Sequence, residues 1–223
     1  MCRRFYRCTR TPPGPPSAAP PKSRTGLYVV LGLVGAALLG LLFVLGGGAL
    51  FIFTAKDEAL SSDDRSALMT VSVLSEWMEG FEPDLSKETV VKQRYLDRSY
   101  DMEYEFDDPD NPDAPYVSCS VTVEPNSSDA LISYKGVQLG LNIGFNSQSG
   151  TSQMERNDLF RWGDQSSFHV LYVHGAPIGN SFTAIKGKRV FMMTFSGVFF
   201  EDTTAIQELL QPRLDALERL PAP

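Results

Sequence analysis

The apolar positions of this chain form one unbroken run and several periodic ones. From Leu27 to Phe53 there is no charged residue. At a rise of about 1.5 Å per residue a helix over this stretch reaches about 40 Å, enough to cross a hydrocarbon layer of about 30 Å with some tilt. The rival reading is a cleaved signal peptide, whose apolar region spans roughly 7–15 residues and ends in a small-x-small site. This run is about twice that length, and it closes on Phe51-Ile52-Phe53-Thr54-Ala55-Lys56, bulky where small groups are needed. The pattern predicts a transmembrane helix over 27–53.

Beyond the run the period changes repeatedly. Residues 62–79 read as helical at least in their second half, with Leu68, Val71, Leu74, Trp77 and Met78 near one face and Gly80 and Pro83 as the stop. Strands follow at Thr89–Leu96 and Tyr100–Phe106, joined by a turn at Asp97-Arg98-Ser99. In the second strand Tyr100, Met102, Tyr104 and Phe106 alternate with Asp101, Glu103 and Glu105, which predicts one face on a core and one in water. Tyr116–Val123 alternates in the same way and places Cys119 in its apolar stripe. Residues 127–141 read as a helix capped by Ser127 or Ser128, with Leu131, Tyr134, Val137 and Leu141 on its buried side.

A polar link over 142–157 leads to strands at Phe168–His174, Ser181–Lys186 and Arg189–Ser196. Lys186-Gly187-Lys188 forms the last hairpin. Asp202 then caps a terminal helix carrying Ile206, Leu209, Leu210, Leu214, Leu217 and Leu220, with Pro212 expected to kink it or to start a second segment. The element order is α-βββ-α-βββ-α, rich in hairpins and too poor in long crossovers for a parallel sheet. It predicts an α+β domain, an antiparallel sheet with its helices on one face.

Charge sorts the chain into three parts. Residues 1–26 carry Arg3, Arg4, Arg7, Arg10, Lys22 and Arg24 and no acid, whereas residues 54–223 hold all 27 acids and 14 bases, a net of −13. The bases before the span, against Lys56-Asp57-Glu58 after it, put the N-terminus in the cytoplasm and the C-terminal domain outside. Residues 11–26 contain six prolines, which suits polyproline II or a disordered spacer. Such a spacer can also serve as a ligand for a proline-binding module. Cys2 and Cys8 sit among the arginines as free thiols or as sites of palmitoylation. Cys119 is alone in the outer domain, so no disulfide forms within it. A bacterial inner membrane, with the domain in the periplasm, fits that cysteine usage better than a eukaryotic surface does. The single sequon at Asn126 weighs little against this.

Candidate chemistry is sparse. His169 and His174 are five apart in one predicted strand and face opposite sides, so they cannot share a metal. Cys119 with His169 is a conceivable thiol and base, but a cysteine in an apolar stripe behaves as a small hydrophobe. Asp164, Ser166, Ser167 and His169 are triad ingredients crowded into one turn, without the separation or the Gly-x-Ser-x-Gly elbow that a triad on a hydrolase fold needs. Gly140–Phe145 lacks the Gly-Lys-Ser/Thr ending of a phosphate loop. Asp108, Asp110 and Asp113 form a weak calcium candidate in a proline-stiffened loop that has none of the EF-hand spacing. Phe160, Trp162 and Phe168, and Phe195, Val198, Phe199 and Phe200, either fill gaps between sheet and helix or rim a binding surface. In the span, Gly32, Ala36 and Gly40 lie on one helix face and would let two copies pair as a homodimer.

These readings imply no cofactor, and a domain at −13 excludes nucleic acid as a partner. They favour a membrane-anchored, non-catalytic domain that binds a partner protein or envelope component. The alternative is an envelope enzyme or small-ligand binder, which a pocket bringing Asp or Glu to His169 or Cys119 would favour. A third reading is signalling, for which a 26-residue tail would need a cytoplasmic partner.

Overall fold

Eight strands, all antiparallel, hydrogen-bond in the order β1-β2-β3-β4-β8-β7-β6-β5. They are β1 (Lys56–Asp57), β2 (Glu88–Arg94), β3 (Tyr100–Phe106), β4 (Tyr116–Val123), β5 (Thr151–Glu155), β6 (Gln165–Val173), β7 (Ala176–Lys186) and β8 (Arg189–Ser196). Among the described residues four α-helices accompany them, α1 (Ser62–Ser66), α2 (Val71–Ser75), α3 (Ser127–Ser147) and α4 (Thr203–Arg219), with one 3-10 turn at Leu85–Lys87. The computed structural model describes residues 55–223 apart from 112, 148 and 149. The predicted span, the basic tail and the stripe of Gly32, Ala36 and Gly40 lie outside the described residues. Among the described residues no helix is long and apolar enough to cross a membrane.

Period-two alternation decides the main core. Tyr104 on β3 pairs with Cys119 on β4, Cys119 with Met193 on β8, and Met193 with Phe182 on β7, all four within 1% of complete burial. On this face the sheet meets α1, α2 and α4, whose Leu74, Ile206, Leu210, Leu214 and Leu217 join the same cluster. The acidic partners Glu103 and Glu105 point the other way and are exposed, as the alternation predicts.

The stretch read as one helix over 62–79 divides into α1 and α2. The Met69 amide donates to the Cys119 thiol at 3.3 Å and the Val71 amide donates to the Tyr104 hydroxyl at 3.0 Å. Both donors therefore bond to the sheet rather than to a carbonyl one turn back, which ends α1 and starts α2 afresh. Ser61 caps α1 reciprocally with Asp64.

The expectation that all helices share one face is corrected. Neighbouring residues of a strand point to opposite sides, and α3 takes the side its neighbours leave. Ala130 and Tyr134 of α3 pack on Ile185 and Val190, whose neighbours Ala184 and Phe191 belong to the main core. The sheet is thus covered by α1, α2 and α4 on one face and by α3 on the other.

The element order is also corrected, because β5 lies within the expected polar link and β1 precedes the first helix. Helix α3 runs on to Ser147, and α4 continues through Pro212 without starting a second segment. Pro212 and Glu208 are both exposed, so the carbonyl that loses its amide partner can bond to water.

Candidate functional site

The face beneath α3 is polar where the opposite face is apolar. Register places Glu155 on β5 beside His169 on β6, and His169 beside Ser181 on β7; two pairs further along, Ser167 lies beside Thr183. Period two carries all five onto the α3 side. Gln138, Leu141 and Asn142 of α3 form the roof, leaving a hollow of about 230 Å³ above Glu155, Ser167, His169 and Thr183. A more open hollow of about 490 Å³ continues from it past Tyr134, Asn157, Arg161 and Trp162, sharing Gln138, Glu155 and Ser167.

The polar groups form a chain. The Ser167 hydroxyl donates to Glu155 at 3.3 Å, and its oxygen lies 3.5 Å from Nε2 of His169. Asn157 donates its amide to Glu155 while its carbonyl oxygen accepts from the Phe168 amide at 2.9 Å, which anchors the carboxylate to the β6 backbone. Gln138 donates to the Tyr134 hydroxyl at 2.7 Å, and Gln153 donates to Asn142 across the gap between β5 and α3. Burial lowers the pKa of His169 and outweighs the opposite pull of Glu155, so the imidazole is neutral near pH 7. Nδ1 of His169 and Oε1 of Gln153 are withdrawn from water and have no hydrogen-bond partner.

This is not the arrangement of a nucleophile and its base. Ser167 gives its proton to the carboxylate rather than to the imidazole, and 3.5 Å is at the limit of a hydrogen bond. The other triad ingredients turn away. Asp164 accepts from the Gly187 amide at 2.8 Å and Ser166 accepts from the Trp162 amide at 3.1 Å, so both brace turns.

Cys119 lies on the opposite face of the sheet from His169. Its pKa is pushed up to about 12 by burial, with the Met69 amide pulling the other way, so at neutral pH it is a thiol packed in the core. His174 is not in the strand: it adopts a left-handed φ of 51° in the tight turn between β6 and β7. In the acidic loop, Asp110 pairs with the Lys87 ammonium at 2.7 Å, and Asp108 lies 4.0 Å from the same nitrogen. Asp113 is exposed. Among the described residues no group of three or more His, Cys, Asp and Glu converges to hold a metal ion.

Most of the aromatic residues fill the core. Phe160 meets Phe182 edge-on at 5.3 Å, and Phe200 stands edge-on to both Trp77 and Phe195 at 5.5 and 5.8 Å. Phe199 stays exposed.

The outward side of α3 is apolar. Ile132, Leu139 and Ile143 are 71%, 62% and 61% exposed, and at about 100° per residue they fall within about 40° of one another on the helix. Beside them run Gly136, Gly140 and Gly144. A further groove of about 420 Å³ lies between α3 and β8, lined by Val137, Gly140, Leu141, Gly144, Phe145 and Met192.

The residues the sequence did not single out, Gln138, Gln153 and Glu155, carry no local signal. Thr151, Gln153 and Glu155 alternate with Ser152 and Met154, so hydrophobicity marks no face of β5. No family model, no curated protein and no solved structure matches the chain.

Proposed function

We propose that the protein is a single-pass, membrane-anchored interaction protein whose C-terminal domain, on the far side of the membrane from a cytoplasmic N-terminus, binds a partner protein or envelope component without chemistry of its own. The observation that carries this reading is the ridge of Ile132, Leu139 and Ile143. Three large apolar side chains exposed on one helix face, beside a glycine stripe and an apolar groove, are the kind of patch that soluble surfaces usually cover. The uncharged run over 27–53 and the basic tail support the anchor and its orientation. The bacterial inner membrane, with the domain in the periplasm, fits the lone Cys119. The Gly32, Ala36 and Gly40 stripe supports pairing of two spans.

Comparative crosslinking and capture from native membranes tests the proposal. One envelope component should be retained by the wild type and lost when Leu139 and Ile143 become glutamate. Turnover of a substrate by the purified chain would sink it.

One specific observation favours small-ligand binding as a second reading. The cleft under α3 brings Glu155 to Ser167 and His169 and leaves four withdrawn polar atoms, on Gln153, His169, Ser181 and Thr183, without partners.

A further inference from the structure

We propose that the cleft between α3 and strands β5–β7 binds a neutral, hydroxyl-rich ligand, a saccharide, through Gln153, His169, Glu155 and Gln138. This rests on the second reading above, that the cleft takes a small ligand, and adds the ligand's chemical class.

Ser167 donates to Glu155, so the oxygen of Ser167 is free to accept from His169. A neutral imidazole that donates from Nε2 keeps Nδ1 as an acceptor, and Nδ1 has no donor in reach. Gln153 gives its amide to Asn142 and keeps Oε1, another acceptor without a donor. The Ser181 and Thr183 hydroxyls on the same face also have no partner, so the surplus is two acceptors and two groups that both donate and accept, a set that O–H groups can meet. Withdrawn acceptors cost stability until a donor reaches them. A ligand carrying several O–H groups supplies such donors.

Charge narrows the class further. An anion would meet Glu155 inside the cleft and a net of −13 around it. Of the nearby guanidinium groups, Arg156 holds Asp158 at 2.9 Å, and Arg161, whose Nε donates to the Asn157 carbonyl at 3.0 Å, lines only the outer hollow, away from His169 and Gln153. Glu155 accepts from the neutral donors Asn157 and Ser167 through one oxygen, which orders the carboxylate and leaves its other oxygen to accept from a ligand hydroxyl; a cation is the competing class, and spermidine is its probe. Planar amides beside one carboxylate, with an indole at the open end, match a ring that presents hydroxyl edges and a C–H face. Trp162 lines the outer hollow, and the Lys186 ammonium lies 5.1 Å from its ring centre. At about 490 Å³ the outer hollow falls within the roughly 300–1,000 Å³ range of small-ligand sites.

The test uses the full chain in a detergent without a sugar head group, with thermal melting and titration calorimetry against glucose, galactose and N-acetylglucosamine oligomers. Spermidine and inorganic phosphate serve as the charged probes. At least one neutral oligomer should bind, and binding should weaken at least tenfold in Gln153→Leu and Gln138→Ala but stay unchanged in Glu208→Gln, at an exposed position on α4. Gln138 lies on the partly exposed side of α3, so its variant decides the matter if Gln153→Leu fails to fold. Binding of spermidine or phosphate alone would uphold a small-ligand cleft and overturn the saccharide. Saccharide binding indifferent to both cleft variants would overturn the location. No binding by any probe would overturn both this inference and the reading it rests on.

Discussion

The Lys92 ammonium lies 2.8 Å from the Asp64 carboxylate, with the two side chains only 9% and 3% exposed. Around this pair the edge of the sheet is tied together. Asp64 caps α1 through Ser61, Glu58 reaches Lys92 at 3.8 Å and Arg94 at 2.6 Å, and Lys92 and Arg94 both approach the Tyr100 ring, at 5.0 and 5.1 Å. The network fastens the first residues of the described domain to β2.

Breaking one side of this pair should cost far more than replacing both sides. Lys92→Met leaves a buried carboxylate without its counter-charge, for which a loss of about 3–5 kcal/mol is expected. The double variant Lys92→Met, Asp64→Leu should recover a substantial part of that loss, although it also removes the helix cap. Denaturant titration of the two variants beside the wild type checks the order.

Acid should destabilise the domain in two steps. Burial opposes the charged form of Asp64, but Lys92 and the Ser61 amide and hydroxyl outweigh it and hold the carboxyl below 3.8; the hydrogen bond from Arg94 holds Glu58 below 4.5. The unfolded chain then binds more protons than the folded one, so stability rises with pH. This contribution is complete above about 4.5 and is lost as pH falls through the lowered values. His169, lowered from 6.5 by burial, acts earlier: its contribution is complete above 6.5 and declines below it. Melting temperatures against pH should show a shallow decline below 6.5 that His169→Gln removes. A steeper decline below about 4.5 should be flattened by Asp64→Asn.

Cys119 should resist alkylation until the domain unfolds. Its thiol is buried, its pKa is raised to about 12, and its sulfur accepts from the Met69 amide. In a background of Cys2→Ser and Cys8→Ser, iodoacetamide labelling should track denaturant unfolding. Rapid labelling of the native protein would contradict the packing.

Tyr104→Phe isolates one contact between sheet and helix. It removes the hydroxyl that accepts from the Val71 amide at 3.0 Å, and leaves a buried donor unpaired at a cost of about 1–3 kcal/mol. Local hydrogen exchange at Val71 should rise more than exchange in β4.

The strands with one apolar face were legible because alternation needs only local sequence. Tyr100–Phe106, Tyr116–Val123 and Arg189–Ser196 have the bounds the pattern predicts. The edge strand β5 was not legible, since both of its faces are polar and only pairing with β6 identifies it. The break between α1 and α2 depends on Tyr104 and Cys119, residues 33 and 50 positions away, which no helical period reports. The side taken by α3 followed from parity along β7 and β8, where Ile185 and Val190 offer an apolar landing beside the polar cluster around His169. The cleft was half visible. His169 and Ser167 drew attention as triad ingredients, but their carboxylate is Glu155, brought in by register rather than Asp164 by proximity.

Photocrosslinking from the outer ridge of α3 in native membranes tests the proposed interaction most directly. A crosslinking residue placed at Leu139 or Ile143 should give the same discrete protein or envelope adduct from both positions, and one at exposed Glu208 on α4 should give none. Adducts that are absent, or that are equally abundant from Glu208, would contradict an interaction through α3.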